Sequence, residues 1–431
     1  MSECHSAEQS EAYDYMKYAL VLGRNPDLSI AELFNLLGDK IQIAKNRLCV
    51  FAESPSPTPS QDFLNRLGGC VEILEIFAEN LPQTAVLTEI QKYLVKKCEG
   101  HTGKFKFAVN LLPENKSSRV QKYLLTELKK SLRAQNISAA FMNKDFQNVS
   151  AVFAADQGLK GAGSNVTIID MGDNKVALGF SIALQDFEGY SKRDYGKPFR
   201  DPQAGMMPPK LAQMMINLAS SPLQATSYKL QAIIDPFCGS GTILMEALLM
   251  GFGAIGSDSS NKMTEGSKKN VEWLRTNFKI ADSAKNNIFT KDACSLSKAD
   301  FQPYQLQATT AKAGQASYDL SIVTEPYLGP ELSTFPAVQF LERVISELSD
   351  LYIRFFKNLG GLLRADTPIV IIFPVWNKGK GEKIRLTDRI IDKITSLGYS
   401  RTEFDPLKTT SLFYERPGQV VGREIVRFRK K

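Results

Sequence analysis

The residues best suited to form a ligand site lie in a glycine-rich segment in the second half of the chain. Residues 233–246 read IIDPFCGSGTILME: an apolar strand ends at Asp235, a turn contains Gly239 and Gly241, and a helix opens near Thr242. Glycine lets a ligand approach the backbone where a Cβ would collide, and a helix N-terminus offers free N–H groups. The spacing matches neither GxGxxG nor GxxxxGK[ST]. The segment predicts a cofactor crevice at the carboxyl ends of the strands, and the alternative is a turn without a ligand.

Histidine and cysteine usage limits the chemistry available to the chain. The sequence contains 2 histidines, which argues against Ser-His-Asp hydrolysis and most imidazole-based acid–base catalysis. Its 6 cysteines are scattered and form no CxxC pair. A structural zinc site needs about four clustered thiolate or imidazole ligands. We therefore expect no metal site, and free thiols in a reducing compartment.

Length, charge and hydropathy indicate a broad class of protein. At 431 residues the chain exceeds one ordinary core, which predicts two or three domains. The net charge of +7 permits an RNA partner without requiring one. The apolar runs are far shorter than a bilayer span, and the acidic, polar N-terminus lacks the pattern of a secretory signal. We therefore expect a cytoplasmic protein with no membrane partner.

Alternating strands and helices surround the glycine-rich segment. A helix over 208–219 precedes it, and the strand-like runs GAIGSD, YDLSIVTEP and TPIVIIF follow it. Helical periodicity occurs at 261–277, 338–357 and 386–397. This alternation predicts an α/β fold with a doubly wound parallel sheet. Residues 410–431 are typical of a closing hairpin around a Pro-Gly turn.

The N-terminal half mixes both kinds of element. Residues 14–50 predict a strand, a helix and a strand, with Ser29 as a candidate helix cap. Amphipathic helices are predicted over 84–98 and 117–136, and strands at 104–112, 138–143, 150–156, 166–172 and 175–184. This mixture predicts a small α+β region that ends near residues 180–190.

The segment DPFCGSGTILMEA resembles motif I of the amino-methyltransferases that bind S-adenosylmethionine. More narrowly, it resembles the RNA-modifying group with a THUMP domain, whose members methylate guanine N2 in tRNA or rRNA. The resemblance covers most of the chain. It implies an N-terminal ferredoxin-like segment over 14–95, a THUMP-like RNA-binding domain over 96–185 and a Rossmann-like class I methyltransferase domain over 186–431.

The resemblance implies that the crevice binds S-adenosyl-L-methionine. In the family the glycine loop holds the methionine portion, which assigns cofactor roles to Asp235, Pro236, Phe237, Gly239, Gly241 and Thr242. Asp258 ends the second strand and would accept hydrogen bonds from the ribose hydroxyls, although it could instead cap the next helix. Asp292 and Ala293 match the family's third motif, which contacts the adenine.

The catalytic candidates are Thr324, Glu325, Pro326 and Tyr327. The family carries an Asp/Asn/Ser-Pro-Pro-aromatic loop at this place. An exocyclic amine is a poor nucleophile because its lone pair is delocalised into the ring. In the family, a side-chain oxygen and a prolyl-constrained carbonyl accept hydrogen bonds from the amine and orient its lone pair. The aromatic ring stacks on the flipped base. Here Thr324 takes the Asp/Asn place and Glu325 replaces the first proline, which leaves open which of the two orients the amine. The alternative is an ordinary strand-ending turn.

Segments on either side of these motifs extend the resemblance. The family pattern RD…(R/K)P…GMxPPKLAQ matches residues 193–213, which assigns Arg193 and Lys197 to substrate binding and Pro208 to the cofactor site. A proline-started helix with a solvated basic loop is the alternative. From residue 416 onward the terminal hairpin has six basic residues and one acidic residue, and Arg416 is assigned to RNA-backbone contact. A solvated sheet edge explains such charges as well.

The sequence therefore predicts an enzyme that transfers a methyl group to the exocyclic N2 amine of a guanosine in tRNA. A DNA or rRNA amino-methyltransferase is one alternative, and a catalytically retired RNA-binding protein with a methyltransferase fold is another. Some members of the resembled family need a small activating subunit, so we keep such a subunit, or a homodimer, as an open expectation.

Overall fold

The structure is a computed structural model that describes residues 16–54, 59–114, 118–159, 162–201, 205–220, 230–301 and 318–431. The chain divides into two compact units. The first comprises Met1–Leu22, Lys40–Leu64 and Cys70–Gln185, and the second comprises Gly23–Asp39, Asn65–Gly69 and Asp186–Lys431.

The described part of the first unit is built on one mixed sheet. Its strands are β1 (Met16–Leu22), β2 (Ile41–Ile43), β3 (Cys49–Ser54), β4 (Cys70–Pro82), β5 (Phe105–Leu112), β6 (Ala139–Phe141), β7 (Asn165–Gly172) and β8 (Lys175–Leu184). They are ordered β2-β3-β1-β4-β8-β7-β5-β6. Strand β1 runs antiparallel to β3 and β4, whereas β5 runs parallel to β6 and β7. The two proposed N-terminal domains therefore share a sheet, and their division at residue 95 stays a prediction.

Helices of the first unit pack onto this sheet by their apolar sides. The first helix of the chain, α1 (Pro26–Leu37), belongs to the second unit. The helices of the first unit are α2 (Gln61–Asn65), α3 (Val86–Cys98), α4 (Ser118–Ala134) and α5 (Ala151–Asp156). Phe107 of β5 lies in one hydrophobic cluster with Ile90 of α3 and with Leu125 and Leu128 of α4. The three- and four-residue spacing of such leucines is what directs one helix face to a core.

Two local predictions for the N-terminal half are wrong. Residues 150–156 were expected as a strand, but α5 forms there because Ser150 caps it: the Ser150 Oγ accepts a hydrogen bond from the Phe153 N–H at 3.3 Å. Ser29 does not cap α1. Asn25 is the N-cap and Pro26 takes the first helical position, where its fixed φ is favoured, while the buried Ser29 hydroxyl donates to the Gly69 carbonyl at 2.9 Å.

The second unit holds the remaining elements. Its helices are α1, α6 (Phe187–Tyr195), α7 (Pro209–Ala219), α8 (Thr242–Leu249), α9 (Asn261–Asn277), α10 (Val338–Gly360) and α11 (Thr387–Ser396). Its strands are β9 (Leu230–Asp235), β10 (Gly253–Asp258), β11 (Asn286–Thr290), β12 (Tyr318–Thr324), β13 (Pro368–Gly379), β14 (Glu382–Arg385), β15 (Tyr399–Thr402), β16 (Leu412–Tyr414) and β17 (Val421–Lys430).

The sheet of the second unit is parallel in its centre and antiparallel at one side. Its strands are ordered β11-β10-β9-β12-β13-β17-β15, with β14 paired to β13 and β16 paired to β17. Strands β9 to β13 pair in parallel, and β17 runs antiparallel to β13. The closing hairpin expected over 410–431 is present as β16 and β17.

Both faces of this sheet are covered by helices. In β13, Ile369 and Ile371 join the core beneath α10 and α11, whereas Val370 and Ile372 join the core beneath α7 and α8. Successive side chains of a strand point to opposite faces, so a strand buried on both sides is apolar throughout. The expected α/β fold with a doubly wound sheet is confirmed.

A buried carboxylate connects the two N-terminal segments of the second unit, Gly23–Asp39 and Asn65–Gly69, to each other and to α7. Glu32 of α1 accepts hydrogen bonds from the Gly68 and Gly69 N–H groups at 2.9 and 2.8 Å and from the Asn217 side chain at 2.6 Å. Burial raises the pKa of Glu32 to about 7, while these hydrogen bonds oppose the rise.

Among the described residues, no helix combines the length and the hydropathy that a bilayer span requires.

Candidate active site

The glycine-rich loop connects the end of β9 to the start of α8. Gly239 and Gly241 have φ of +50° and +82°, a left-handed conformation that favours glycine. A Cβ on Gly241 would lie 2.2 Å from the Ser267 Oγ, whereas a Cβ on Gly239 would meet no atom within 4 Å. The loop is therefore packed tightly against α9 at Gly241 and faces open space at Gly239.

The loop borders a cavity of about 710 Å³ within the second unit. The cavity wall contains these predicted residues: Asp235, Pro236, Phe237, Gly239, Thr242, Asp258, Asp292, Ala293, Glu325, Pro326 and Tyr327. They follow the carboxyl ends of four neighbouring parallel strands, β9 to β12, which is where α/β sheets form ligand sites. The turn before β17 completes the wall with Gly418 and Gln419.

Asp235 and Thr324 join the ends of the two central strands. The Thr324 hydroxyl donates to the Asp235 Oδ1 at 2.7 Å, and the Phe237 N–H donates to the same oxygen at 3.2 Å. Asp235 is buried, and this burial raises its pKa to about 7, while the two hydrogen bonds oppose the rise. Thr324 is fully buried and is not part of the cavity wall. Its hydroxyl therefore fixes the glycine-rich loop to the candidate catalytic loop.

Glu325 faces the cavity and forms an ion pair with Arg423 of β17. The Arg423 Nε lies 2.5 Å from the Glu325 Oε1, and the two side chains are only 9% and 14% exposed. Burial works against the charge of Arg423, but the neighbouring Glu325 carboxylate outweighs it and raises the pKa of the guanidinium. Arg423 also lines the cavity, and sequence reasoning missed it. The sequence signal for Arg423 is the basic terminal hairpin, in which Arg416 is the residue assigned to RNA-backbone contact.

Pro326 and Tyr327 end the loop differently. Pro326 is buried, whereas the side chain of Tyr327 is 59% exposed at the cavity wall. An exposed ring on a buried anchor is suited to stack on a planar partner.

Asp258 and Asp292 hold backbone around the cavity. Asp258 accepts hydrogen bonds from the Gly239 N–H at 3.0 Å and from the Ser260 N–H at 2.9 Å. Ser260, not Asp258, is the N-cap of α9. Asp292 accepts from the Cys294 N–H at 2.8 Å. Both carboxylates keep lone pairs for further donors at the cavity.

Five predicted residues lie outside the cavity wall, in addition to Thr324: Gly241, Pro208, Arg193, Lys197 and Arg416. Gly241 and the buried Pro208 shape the starts of α8 and α7. Arg193 is buried, and its Nε donates to the Glu246 Oε1 of α8 at 2.7 Å. Such a pair positions α6 against α8, and the substrate-binding role of Arg193 stays a prediction.

Lys197 and Arg416 have contrasting environments. Lys197 is only 3% exposed, and its Nζ donates to the Thr242 Oγ1 at 2.9 Å. Arg416 is exposed in the turn whose residues Gly418 and Gln419 line the cavity. Their roles in substrate binding stay predictions.

Comparisons with known proteins identify the fold and the family. A family model described as DNA methylase matches residues 36–269, just over half of the chain. A tRNA (guanine(10)-N2)-dimethyltransferase of Methanothermobacter thermautotrophicus is 37% identical over 120 residues, which are 28% of this chain and 33% of that protein. The protein of the same name from Pyrococcus abyssi is 34% identical over 114 residues, or 25% of this chain and 32% of the relative. The matched stretch thus spans about a third of the length of each relative.

The crystal structure of TrmN from Thermus thermophilus has a related fold, with a TM-score of 0.51, 15% identity, and coverage of 97% of this chain and 100% of TrmN. The resemblance that motif I predicted is confirmed by these matches. The chain belongs to the family described as DNA methylase.

Proposed function

We propose that this chain transfers a methyl group from S-adenosyl-L-methionine to the exocyclic N2 amine of a guanosine in tRNA. The observation that carries the proposal is that the glycine-rich loop lines the same cavity as Glu325, Pro326 and Tyr327. The strands that precede these two loops, β9 and β12, are joined by the hydrogen bond between Thr324 and Asp235. The names of the two relatives favour guanine N2 in tRNA as the target.

The residues of the cavity fit the proposed cofactor. Gly239 leaves open space where the Cβ of any other residue would stand, so the cofactor can approach the backbone there. Asp258 can accept from ribose hydroxyls while it holds the Gly239 N–H, and Asp292 with Ala293 borders the place for the adenine. When bound, the cofactor supplies an electrophilic methyl group on a sulfonium.

Glu325 is the side chain that we assign to the amine. Thr324 is buried, and its hydroxyl donates a hydrogen bond to Asp235. Of the two candidates, Glu325 is therefore the residue whose side chain lines the cavity. It accepts a hydrogen bond from the amine and directs the lone pair. The same carboxylate can take up the proton that the nitrogen loses as the N–CH3 bond forms and the S–CH3 bond breaks, which leaves a neutral thioether. The exposed ring of Tyr327 stacks on the base that is turned out of its helix.

Methyl transfer from isotopically labelled cofactor to bulk tRNA tests the proposal. We expect label in tRNA with the wild-type chain, loss of at least about 100-fold of that rate in Glu325→Ala, and unchanged binding of S-adenosylhomocysteine in this variant. The family description makes DNA amino-methylation the second candidate, so DNA is assayed in parallel. Label in DNA but not in tRNA would refute the proposal, and tight cofactor binding without any transfer would favour a non-catalytic RNA-binding protein.

The same function sets our expectations for partners and location. We propose tRNA as the macromolecular partner and the cytoplasm as the compartment. A small activating subunit or a second copy of the chain stays an expectation, which the mass of the purified, active species measured by light scattering will test.

A further inference from the structure

Glu325 brings two neighbouring hydrogen-bond acceptors to the cavity. The Arg423 Nε donates to the Glu325 Oε1 at 2.5 Å, and the Arg423 Nη2 donates to the Glu325 Oε2 at 3.4 Å. A carboxylate offers about four lone-pair sites, so each oxygen can accept a further hydrogen bond beside the one from Arg423. The Glu325 side chain is 14% exposed and lines the cavity. Two acceptors held by a cation therefore border the place proposed for the base.

The residues beside Glu325 do not compete with it for the edge of a base. Thr324 is fully buried, and its hydroxyl donates to Asp235 at 2.7 Å. Pro326 has no N–H group to offer. The exposed ring of Tyr327 is suited to stack on the face of a base. A base edge that enters this loop therefore meets the acceptors of Glu325.

Exocyclic amines of the bases differ in the ring nitrogen that lies beside them. On the Watson–Crick edge of guanine, the N2 amine is next to N1–H, which is a second donor. The amines of adenine and cytosine are next to N1 and N3, which carry lone pairs and no hydrogen. A carboxylate accepts from two adjacent donors but has no hydrogen to give to a ring acceptor. The two oxygens of Glu325 thus match guanine and oppose the lone pair of adenine N1 or cytosine N3.

We propose that Glu325 selects guanine: one carboxylate oxygen accepts from the N2 amine, and the other accepts from N1–H. This inference rests on the proposed function, in which Glu325 orients the amine for transfer, and it adds the contact that excludes adenine and cytosine. The two hydrogen bonds from Arg423 fix the plane of the carboxylate, as simultaneous contact with two groups of one base edge requires.

Base analogues at the methylated position test this inference with the wild-type chain. Mass spectrometry of nuclease fragments first locates the methylated guanosine in tRNA. Synthetic tRNAs then carry at that position either 2-aminopurine, which keeps the N2 amine but has an unprotonated N1, or 7-deazaguanine, which keeps both donors and changes the opposite edge. We expect 2-aminopurine to lower kcat/KM about 10- to 100-fold, as the loss of a bidentate base contact does, and 7-deazaguanine to change it less than about threefold.

A substitution separates this contact from the O6 atom that 2-aminopurine also lacks. Glu325→Gln keeps one oxygen for the amine and adds a side-chain N–H that can donate to an unprotonated N1. The ratio of kcat/KM for guanosine to kcat/KM for 2-aminopurine should therefore fall at least about tenfold from its wild-type value. Where the variant transfers too slowly to follow, the dissociation constants of the two tRNAs, measured with S-adenosylhomocysteine present, should show the same change of preference. As a control, Glu331→Gln neutralises an exposed carboxylate of the same cavity wall and should leave the ratio unchanged.

Three results would overturn the inference. They are equal kcat/KM of the wild type for guanosine and 2-aminopurine, an unchanged preference in Glu325→Gln, or an equal fall of the ratio in Glu331→Gln. If the wild type transfers no methyl group to guanosine N2 in tRNA, the proposed function fails and this inference falls with it. If the wild type methylates guanosine N2 and accepts the analogue equally well, the proposed function stands and this inference alone fails.

Discussion

The substitution Arg423→Met tests whether the ion pair between Arg423 and Glu325 holds the candidate catalytic carboxylate in place. The substitution keeps most of the side-chain volume but removes the guanidinium whose Nε lies 2.5 Å from the Glu325 Oε1. Nothing else in that contact changes, so the effect reports on the orientation of Glu325.

The magnitude follows from the burial of the pair. Removal of one partner from a fully buried ion pair costs about 3–5 kcal/mol. The Glu325 side chain is 14% exposed and borders an open cavity, so water can solvate the carboxylate that remains, and we expect about 2–3 kcal/mol. If that energy orients the carboxylate for transfer, kcat falls roughly 30- to 150-fold, at about 1.4 kcal/mol for each factor of ten.

Steady-state kinetics on tRNA, with cofactor binding measured separately, tests this prediction. Arg423→Met should lower kcat with little change in KM or in S-adenosylhomocysteine affinity, and Arg423→Lys should recover part of the rate. Since the pair acts as a unit, Arg423→Met combined with Glu325→Gln should be little slower than Glu325→Gln alone. A kcat within about threefold of wild type, or fully additive losses in the double variant, would refute the positioning role.

The remaining predictions concern the glycine loop and Asp235. Asp235→Asn keeps an Oδ1 acceptor for both the Thr324 hydroxyl and the Phe237 N–H but removes a buried charge. Because folding raises the pKa of Asp235 from 3.8 to about 7, this carboxyl stabilises the fold below about pH 4 and loses that effect as pH rises to about 7. Wild type should therefore lose up to about 4 kcal/mol more stability over this range than the variant, in which other buried carboxyls such as Glu32 still titrate. Denaturant unfolding at pH 4 and pH 8 measures this, and equal pH dependence in both proteins would contradict it. Gly241→Ala should lower the free energy of unfolding by at least about 2 kcal/mol, because the new Cβ would lie 2.2 Å from the Ser267 Oγ at a φ of +82°. Gly239→Ala has room and should lose only about 1 kcal/mol. Its methyl group would stand at the cavity wall where we propose that the cofactor binds, so S-adenosylhomocysteine affinity should fall at least about tenfold. Wild-type affinity in Gly239→Ala, measured by calorimetry, would show that the loop does not contact the cofactor.

Sequence reasoning succeeded where the determinants are local. The order apolar strand, glycine turn, helix between residues 233 and 246 predicted the loop, because each step is fixed by neighbouring residues. The alternation of such units predicted the sheet of the second unit. The helix over Ala151–Asp156 was not predicted, because its short apolar run is compatible with a strand and only the N-cap Ser150 indicates a helix.

The rest depends on contacts between residues distant in the chain. Glu325 and Arg423 are 98 positions apart, and Glu32 and Asn217 are 185 apart. No periodicity or motif links such residues, so neither the ion pair in the cavity wall nor the association of Gly23–Asp39 with the second unit could be predicted. The burial of Thr324 is of the same kind, because it depends on the carboxylate of Asp235 in a different strand.

Nucleoside mass spectrometry of tRNA treated with this chain and methyl-deuterated cofactor tests the central claim most directly. The account predicts a deuterated methyl group on N2 of guanosine, present with the wild-type chain and lost in Glu325→Ala. Label on a different base or a different atom of guanosine, or the same yield from the variant, would contradict it.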